Sequence, residues 1–309
     1  MPNAPLLVIS GPTGVGKTAL AVRLAQDFAL EVVSADSRQI YRLMDIGTAK
    51  PTPEEQAAVP HHLLDIADPD QVVTLADFQA RAYQTILAVQ QRGYLPALVG
   101  GTGQWVKAVI EGWHVPRVPP NPALRAELEA QAETLGAQTL YDRLTQVDPE
   151  AAAKIDPRNL RRVIRALEVF HLTGAPISQQ QGKAAPPYRL LQIGLTMPRE
   201  TLYERIDQRI DQMLAQGLLA ETERLVEAGY GWDLPAMSGL GYRQIGQYLR
   251  GEVSLGEAIA LIKRETRRFI RQQYNWFRLD DERIAWFDLE AGLSGPYARI
   301  ETLVAEFLS

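Results

Sequence analysis

The chain has 309 residues, enough for two domains or for one domain with a large insertion. Hydrophobic residues make up 46% and charged residues 22%, and glycine and proline follow no period, which excludes disordered, collagen-like and low-complexity classes. The net charge is −5 and cysteine is absent, so a disulfide scaffold, a thiol nucleophile and a cysteine-ligated metal are excluded, and any nucleic-acid binding must come from local basic patches. Residues 5–10 form a continuous apolar run ending at Gly11, the pattern of a buried parallel strand. A helix is predicted from Lys17, with Leu20, Ala21, Leu24, Ala25 and Phe28 facing one way. A second strand over 31–35 ends at Asp36. A helix near 75–91 leads to a third strand over 95–99, which ends in Gly100, Gly101 and Thr102. Alternating strand and helix predicts an α/β fold: a phosphate-loop parallel sheet core flanked by helices. Ligands of such sheets lie beyond the C-terminal strand ends, where Gly11, Asp36 and Gly100 gather.

Composition then shifts. Residues 114–122 hold four prolines in nine and read as a linker. Residues 123–173 look helical, and 174–187, rich in Gln, Ala and Pro, read as a loop. An apolar strand returns over 190–195. The expected organisation is a core of residues 1–115 and 189–309 with a helical insertion domain at 116–188. Further helices are predicted over 200–228 and from Ser254, where Ser254 and Glu257 form a capping box. A last strand is expected over 284–288. No apolar run approaches the roughly 20 residues of a spanning helix, and the N-terminal stretch has neither the basic start nor the cleavage site of a signal peptide. A cytoplasmic protein without membrane contact is expected.

Gly11, Pro12, Thr13, Gly14, Val15, Gly16, Lys17 and Thr18 fit GxxxxGK[ST], with a strand before and a helix after. The glycines let backbone N–H groups converge on phosphate oxygens, and the helix N-terminus adds positive potential. Lys17 is placed to bridge the terminal phosphate, and the Thr18 hydroxyl to ligate Mg²⁺. By itself the loop marks a nucleotide-binding, ATP-binding class. Enzymes that hydrolyse the γ-phosphate usually add an Asp at the end of a second buried strand. Here that strand ends in Gly-Gly-Thr, so no carboxylate prepares a water. The carboxylate at this edge is Asp36, a candidate general base, with a turn or capping residue as its other reading.

Between Ser254 and Arg278 there are six cationic residues and two acids. Arg264, Arg267, Arg268 and Arg271 share one helical face, which suits polyphosphate or a nucleic-acid backbone; a solvated face is the alternative. Tyr274, Trp276 and Phe277 read as core. Arg158, Arg161, Arg162 and Arg165 form a second cluster near Lys154. Arg205 and Arg209, at i and i+4, form a third, with a neighbouring acid as the alternative partner of Arg205.

Seven motifs stand in the order found in the bacterial tRNA dimethylallyltransferases, or tRNA isopentenyltransferases. They are the loop ending at Thr18, the DSRQIYR string from Asp36, MDIGTAKP from Met44, PHHLLD from Pro60, LVGGTG from Leu98, RALE from Arg165 and GYRQ from Gly241. The chain resembles that family over essentially its whole length. The resemblance implies transfer of a dimethylallyl group from dimethylallyl diphosphate to N6 of the adenosine 3′ of the anticodon, position 37, in tRNAs that read codons beginning with U. It implies that the phosphate loop holds the donor diphosphate with Arg205 and Arg209, and that Thr18 serves Mg²⁺. Asp36 and Thr102 are then the catalytic pair, with Asp36 as the base. The insertion domain is expected to grip the anticodon loop. The implied tRNA contacts are Asp36, Ser37, Arg38, Gln39, Thr102, Arg125, Asn159, Leu160, Arg161, Arg162, Val163, Ser238, Gly239, Leu240, Gly241, Tyr242, Arg243 and the stretch from Arg271 to Arg278. A monomer is expected. Gln104-Trp105 and Arg271-Gln272-Gln273 depart from the family's commoner residues. The rival readings are a nucleoside or nucleotide kinase and a non-catalytic RNA-binding protein.

Overall fold

The computed structural model describes residues 3–184 and 188–309. The expected loop at 174–187 therefore lies partly outside the described residues, at 185–187. In chain order the strands are β1 (Ala4–Ser10), β2 (Leu30–Ser34), β3 (His61–His62), β4 (Leu95–Gly100), β5 (Trp113–His114), β6 (Gly182–Lys183), β7 (Tyr188–Thr196) and β8 (Ile284–Asp288). Six of them form one sheet in the order β3-β2-β4-β1-β7-β8, and every pairing in it is parallel. Parallel neighbours put all the C-terminal strand ends on one edge. Thus the segments after β1, β2, β4, β7 and β8 converge there.

The central strands are buried on both faces, as their unbroken apolar runs require. Leu6, Leu7, Val8 and Ile9 have no exposed surface, and neither do Val33, Ala97 and Leu98. The helices Lys17–Leu24 and Leu75–Gln91 bury Leu20, Ala21 and Leu24, and Phe78, Ala82, Ile86 and Val89.

The chain divides into two compact units. The first comprises Met1–Val73, Phe78–Ile110 and Pro187–Ser309, and contains the six-stranded sheet. The second comprises Thr74–Asp77 and Glu111–Pro186. Its helices Pro122–Leu135, Ala137–Val147 and Leu160–Thr173 enclose a core that includes Leu128, Leu140, Leu144, Val163, Ile164 and Leu167. β5 and β6 pair antiparallel in this unit.

Several elements differ from expectation. Within the expected loop at 174–187, Ile177–Gln180 is a short helix and Gly182–Lys183 is β6. The helix predicted over 200–228 is two helices, Arg199–Ala215 and Leu218–Glu227. Gly217 separates them at φ 104°, a conformation that L side chains rarely adopt. The two-residue strand β3 is too short to leave a periodic signal. The C-terminal helix Ser294–Leu308 was not expected; it buries Tyr297, Ile300 and Val304.

Candidate active site

The phosphate loop leaves β1 and enters the helix at Lys17, as its sequence requires. Gly11 sits at φ 142°, and a Cβ there would lie 2.4 Å from the Leu195 carbonyl oxygen, so only glycine lets the loop pass β7. Val15 is fully buried and anchors the loop from below. Lys17 Nζ donates to the carbonyls of Gly11 (3.0 Å) and Pro12 (2.8 Å). Its pKa is lowered to about 8, chiefly by burial, with Asp36 opposing and Arg209 adding to the effect. The Arg209 guanidinium is itself lowered by burial, with Asp36 opposing and Arg205 contributing in the same sense as burial.

Among the described residues, neither Arg205 nor Arg209 has a carboxylate within ion-pair distance. Two acids of that helix are engaged elsewhere: Asp207 binds Arg267, and Asp211 binds Lys263 at 2.7 Å. Three cations thus stand around a glycine-rich loop, and among the described residues Arg205 and Arg209 have no carboxylate within ion-pair distance, with Asp36 and Glu55 acting on Arg209 only from farther off. Like charges held together in a partly desolvated site favour the arrival of a multivalent anion.

Asp36 follows β2. Its Oδ1 accepts the Arg38 backbone N–H at 2.9 Å, a turn interaction, which leaves Oδ2 without a hydrogen bond among the described residues. The turn reading of Asp36 therefore describes Oδ1, and Oδ2 is the atom that a general-base role requires. Thr102 Oγ1 accepts the Ser37 N–H at 3.1 Å, and the Thr102 N–H donates to the Ala35 carbonyl. The β4 end thereby locks the Asp36 turn in place.

The Arg38 guanidinium donates to the Pro235 carbonyl (2.6 Å) and to Ser238 Oγ (3.4 Å), which joins two of the implied tRNA stretches. Gln39 Nε2 donates to the carbonyls of Thr48 and Ala49. Tyr242 is only 1% exposed, and its hydroxyl donates to Glu221 Oε1 at 2.6 Å. Its side chain does not face an RNA; it packs under Gly47, where a Cβ would meet the ring at 2.5 Å. Glu221 is a residue the sequence reading missed. It is 3% exposed and accepts the N–H groups of Asp45 (3.0 Å), Ile46 (2.9 Å) and Gly47 (3.0 Å). It lies in the first turn of its helix, where the macrodipole favours a carboxylate. No sequence signal reports such a long-range contact.

The arginine stripe is only partly free. Arg267 pairs with Asp207, and Arg271 donates to the Tyr203 hydroxyl at 3.1 Å. Arg264 and Arg268 are exposed and make no ion pair among the described residues. Arg243 pairs with Glu265, and Arg278 with Asp280 at 2.8 Å. Gln273 turns inward. It is 3% exposed, accepts the Thr13 N–H at Oε1 (2.9 Å) and donates from Nε2 to the Gly101 carbonyl (2.9 Å).

In the second unit, Arg125 forms a bidentate pair with Glu168, both bonds 2.8 Å. Arg165 and the Asn121 N–H complete the set around this fully buried carboxylate. Burial pushes its pKa up, but these donors outweigh it and hold the carboxyl below its ordinary value. Arg125 is thus committed to the unit's own packing. Val163 has no exposed surface and belongs to the helical core, so its side chain is not an RNA contact. Asn159 caps the helix by accepting the Arg162 N–H, and Leu160 packs against the core. Arg161 and Arg162 are exposed, with no ion pair among the described residues.

The family model for IPP transferase matches residues 39–280. The chain is 58% identical over 274 residues to a tRNA dimethylallyltransferase of Roseiflexus sp. (strain RS-1), covering 89% of this chain and 90% of that one. It is 51% identical to that of Dehalococcoides mccartyi, over 100% of this chain and 94% of the relative. The full-length tRNA isopentenylpyrophosphate transferase from Bacillus halodurans is similar in structure, with a TM-score of 0.74 and 44% identity over 99% of this chain and 97% of that one. A eukaryotic dimethylallyltransferase acting on tRNA has a TM-score of 0.83 at 25% identity, covering 99% of this chain and 80% of its own.

Proposed function

Because the chain belongs to the IPP transferase family, we propose that it transfers a dimethylallyl group from dimethylallyl diphosphate to N6 of the adenosine 3′ of the anticodon, position 37, in tRNAs reading codons that begin with U. The observation that carries the donor is the group of Lys17, Arg205 and Arg209 at the phosphate loop, which no carboxylate among the described residues neutralises by ion pairing. The lack of an acid after β4 supports alkyl transfer over water-mediated phosphate hydrolysis.

The reaction forms a bond between N6 and C1 of the dimethylallyl group and breaks the C1–O bond. The diphosphate leaves with the electron pair. Negative charge then grows on its oxygens, where loop N–H groups, Lys17 and the two arginines stabilise it best. The Oδ2 atom of Asp36 takes the N6 proton as the C–N bond forms. Thr102 holds the turn that aims this oxygen.

Among the described residues no cluster of three His, Asp or Glu side chains is built for a metal. A hard cation that keeps its waters and binds mainly through substrate phosphates fits this donor set, with Thr18 Oγ1 as the protein ligand. Mg²⁺ bound there supplies further positive charge on the diphosphate. The second unit, through Arg161 and Arg162, is the proposed grip on the anticodon stem-loop. The adenosine must leave its stack to reach the site.

The test is incubation with labelled dimethylallyl diphosphate and unmodified tRNA. Label in the tRNA supports the proposal. ATP-dependent phosphorylation of a small acceptor without prenyl transfer, or tRNA binding without turnover, refutes it.

A further inference from the structure

We propose that Gln273 is a positioning residue for the donor diphosphate: its buried side-chain amide sets the spacing between the phosphate loop and the glycine loop after β4, and so fixes the cradle in which Lys17 works. The inference rests on the donor-site reading above. Gln273 lies in the stretch from Arg271 to Arg278 that the family resemblance gives to tRNA. Its side chain instead points away from solvent, at 3% exposure.

The hydrogen bonds fix the amide's orientation. Oε1 accepts from Thr13 in the middle of the phosphate loop, and Nε2 donates to the carbonyl of Gly101. Rotating the amide by 180° would set donor against donor and acceptor against acceptor, so each end reads one loop. The approach is close. A Cβ on Gly101 would lie 2.4 Å from Gln273 Nε2, 3.5 Å from Lys17 Nζ and 3.5 Å from the Gly11 carbonyl oxygen. The amide, the ammonium and the start of the phosphate loop therefore meet around one glycine that has no room for a side chain.

Two consequences follow for the diphosphate. The Thr13 N–H is committed to Gln273, so the loop curls with that amide facing the helix; the Val15 N–H goes to the Pro12 carbonyl, and the N–H groups of Gly14, Gly16 and Lys17 are proposed to serve phosphate oxygens. The helix Leu255–Trp276 is also pinned to the loop through Gln273, while Gly11 lies against the Leu195 carbonyl of β7. The phosphate loop is thereby held at two points. Preorganisation of this kind lowers the cost of ordering the cradle when the anion arrives.

The experiment measures equilibrium binding of inorganic pyrophosphate and of unmodified tRNA to the full chain, together with the KM for dimethylallyl diphosphate and for tRNA. Gln273→Met keeps the volume but pairs neither loop. It is expected to weaken pyrophosphate binding by about tenfold, the worth of one to two buried hydrogen bonds, with tRNA affinity within about twofold. The KM for the donor should rise by a similar factor while that for tRNA stays within about twofold. A merely structural role would raise both KM values together. Equal loss of pyrophosphate and tRNA affinity, or donor and tRNA KM values that rise together, overturns the proposal. A wild-type enzyme that fails to bind pyrophosphate refutes the donor-site reading itself, which keeps the two failures distinct.

Discussion

The carboxylate of Asp36 is divided between two tasks: Oδ1 accepts the backbone N–H of Arg38 at 2.9 Å, while Oδ2 has no hydrogen bond among the described residues. An Asn side chain can keep the first task through its own oxygen, but it cannot take a proton near neutral pH. Asp36→Asn is therefore expected to keep the turn, the melting temperature and both substrate affinities within a few-fold. The chemical step should slow by roughly 10²–10⁴, the usual worth of a positioned general base. Single-turnover transfer at saturating donor isolates that step. A near wild-type rate would return Asp36 to a turn residue alone.

Lys17 carries a pKa held at about 8 by burial, with Arg209 adding to the effect and Asp36 opposing it. A diphosphate prefers the charged ammonium. Above pH 8 binding must take up a proton, so affinity should fall by up to tenfold per unit. Taking the ratio of wild type to Lys17→Met cancels the titration of pyrophosphate itself, and that ratio should decline above pH 8. The stability effect has the opposite sense. Below pH 8 Lys17 is charged in both states, and burial penalises the folded one. Between about 8 and the ordinary value of 10.5 the folded state loses its proton first, and the penalty disappears. Lys17→Met should thus melt higher than wild type at pH 7, with the gap closing towards pH 10.5. Thermal melts across this range check the sign.

Glu221 gathers three consecutive backbone N–H groups and the Tyr242 hydroxyl. Glu221→Ala strands these donors in a buried site and should cost about 3 kcal/mol of stability, read by denaturant unfolding. The loop around Met44–Gly47 and the segment at Tyr242 would loosen together. The KM for tRNA should rise, while pyrophosphate affinity stays within a few-fold, because the hydrogen bonds of Glu221 go to residues 45–47 and to Tyr242, outside the phosphate loop. Equal losses in both would show a general unfolding instead.

The free arginines should carry the salt dependence of tRNA binding. Replacing Arg161 and Arg162, or Arg264 and Arg268, by Gln should make the slope of log affinity against log salt shallower by about 0.7–0.9 per lost phosphate contact. Arg267→Gln should change the slope less and lower the melting temperature, because Arg267 is paired with Asp207 and lies over the Tyr203 ring. Identical slopes for all variants would mean that none of these side chains touches phosphate.

The sequence by itself determined the sheet core, the phosphate loop and the family. Buried parallel strands leave continuous apolar runs, as at residues 5–10 and 95–99, and a phosphate loop needs its glycines and Lys17 at fixed spacing within one short segment. Both signals are local, and local signals survive in a linear chain. The tertiary structure decided what each polar side chain faces. The arginine periodicity put Arg267 and Arg268 on one face, but only the packing of the helix Arg199–Ala215 against it gave Arg267 an acid and left Arg268 without one. Gln273 sat in a stretch that the resemblance assigned to RNA, yet it turned towards Thr13 and Gly101, 260 and 172 positions away. Glu221 and Tyr242 were likewise invisible as a pair. A buried polar group must find a partner, and when that partner lies far along the chain its identity is set by how the strands and helices are brought together, which no spacing records.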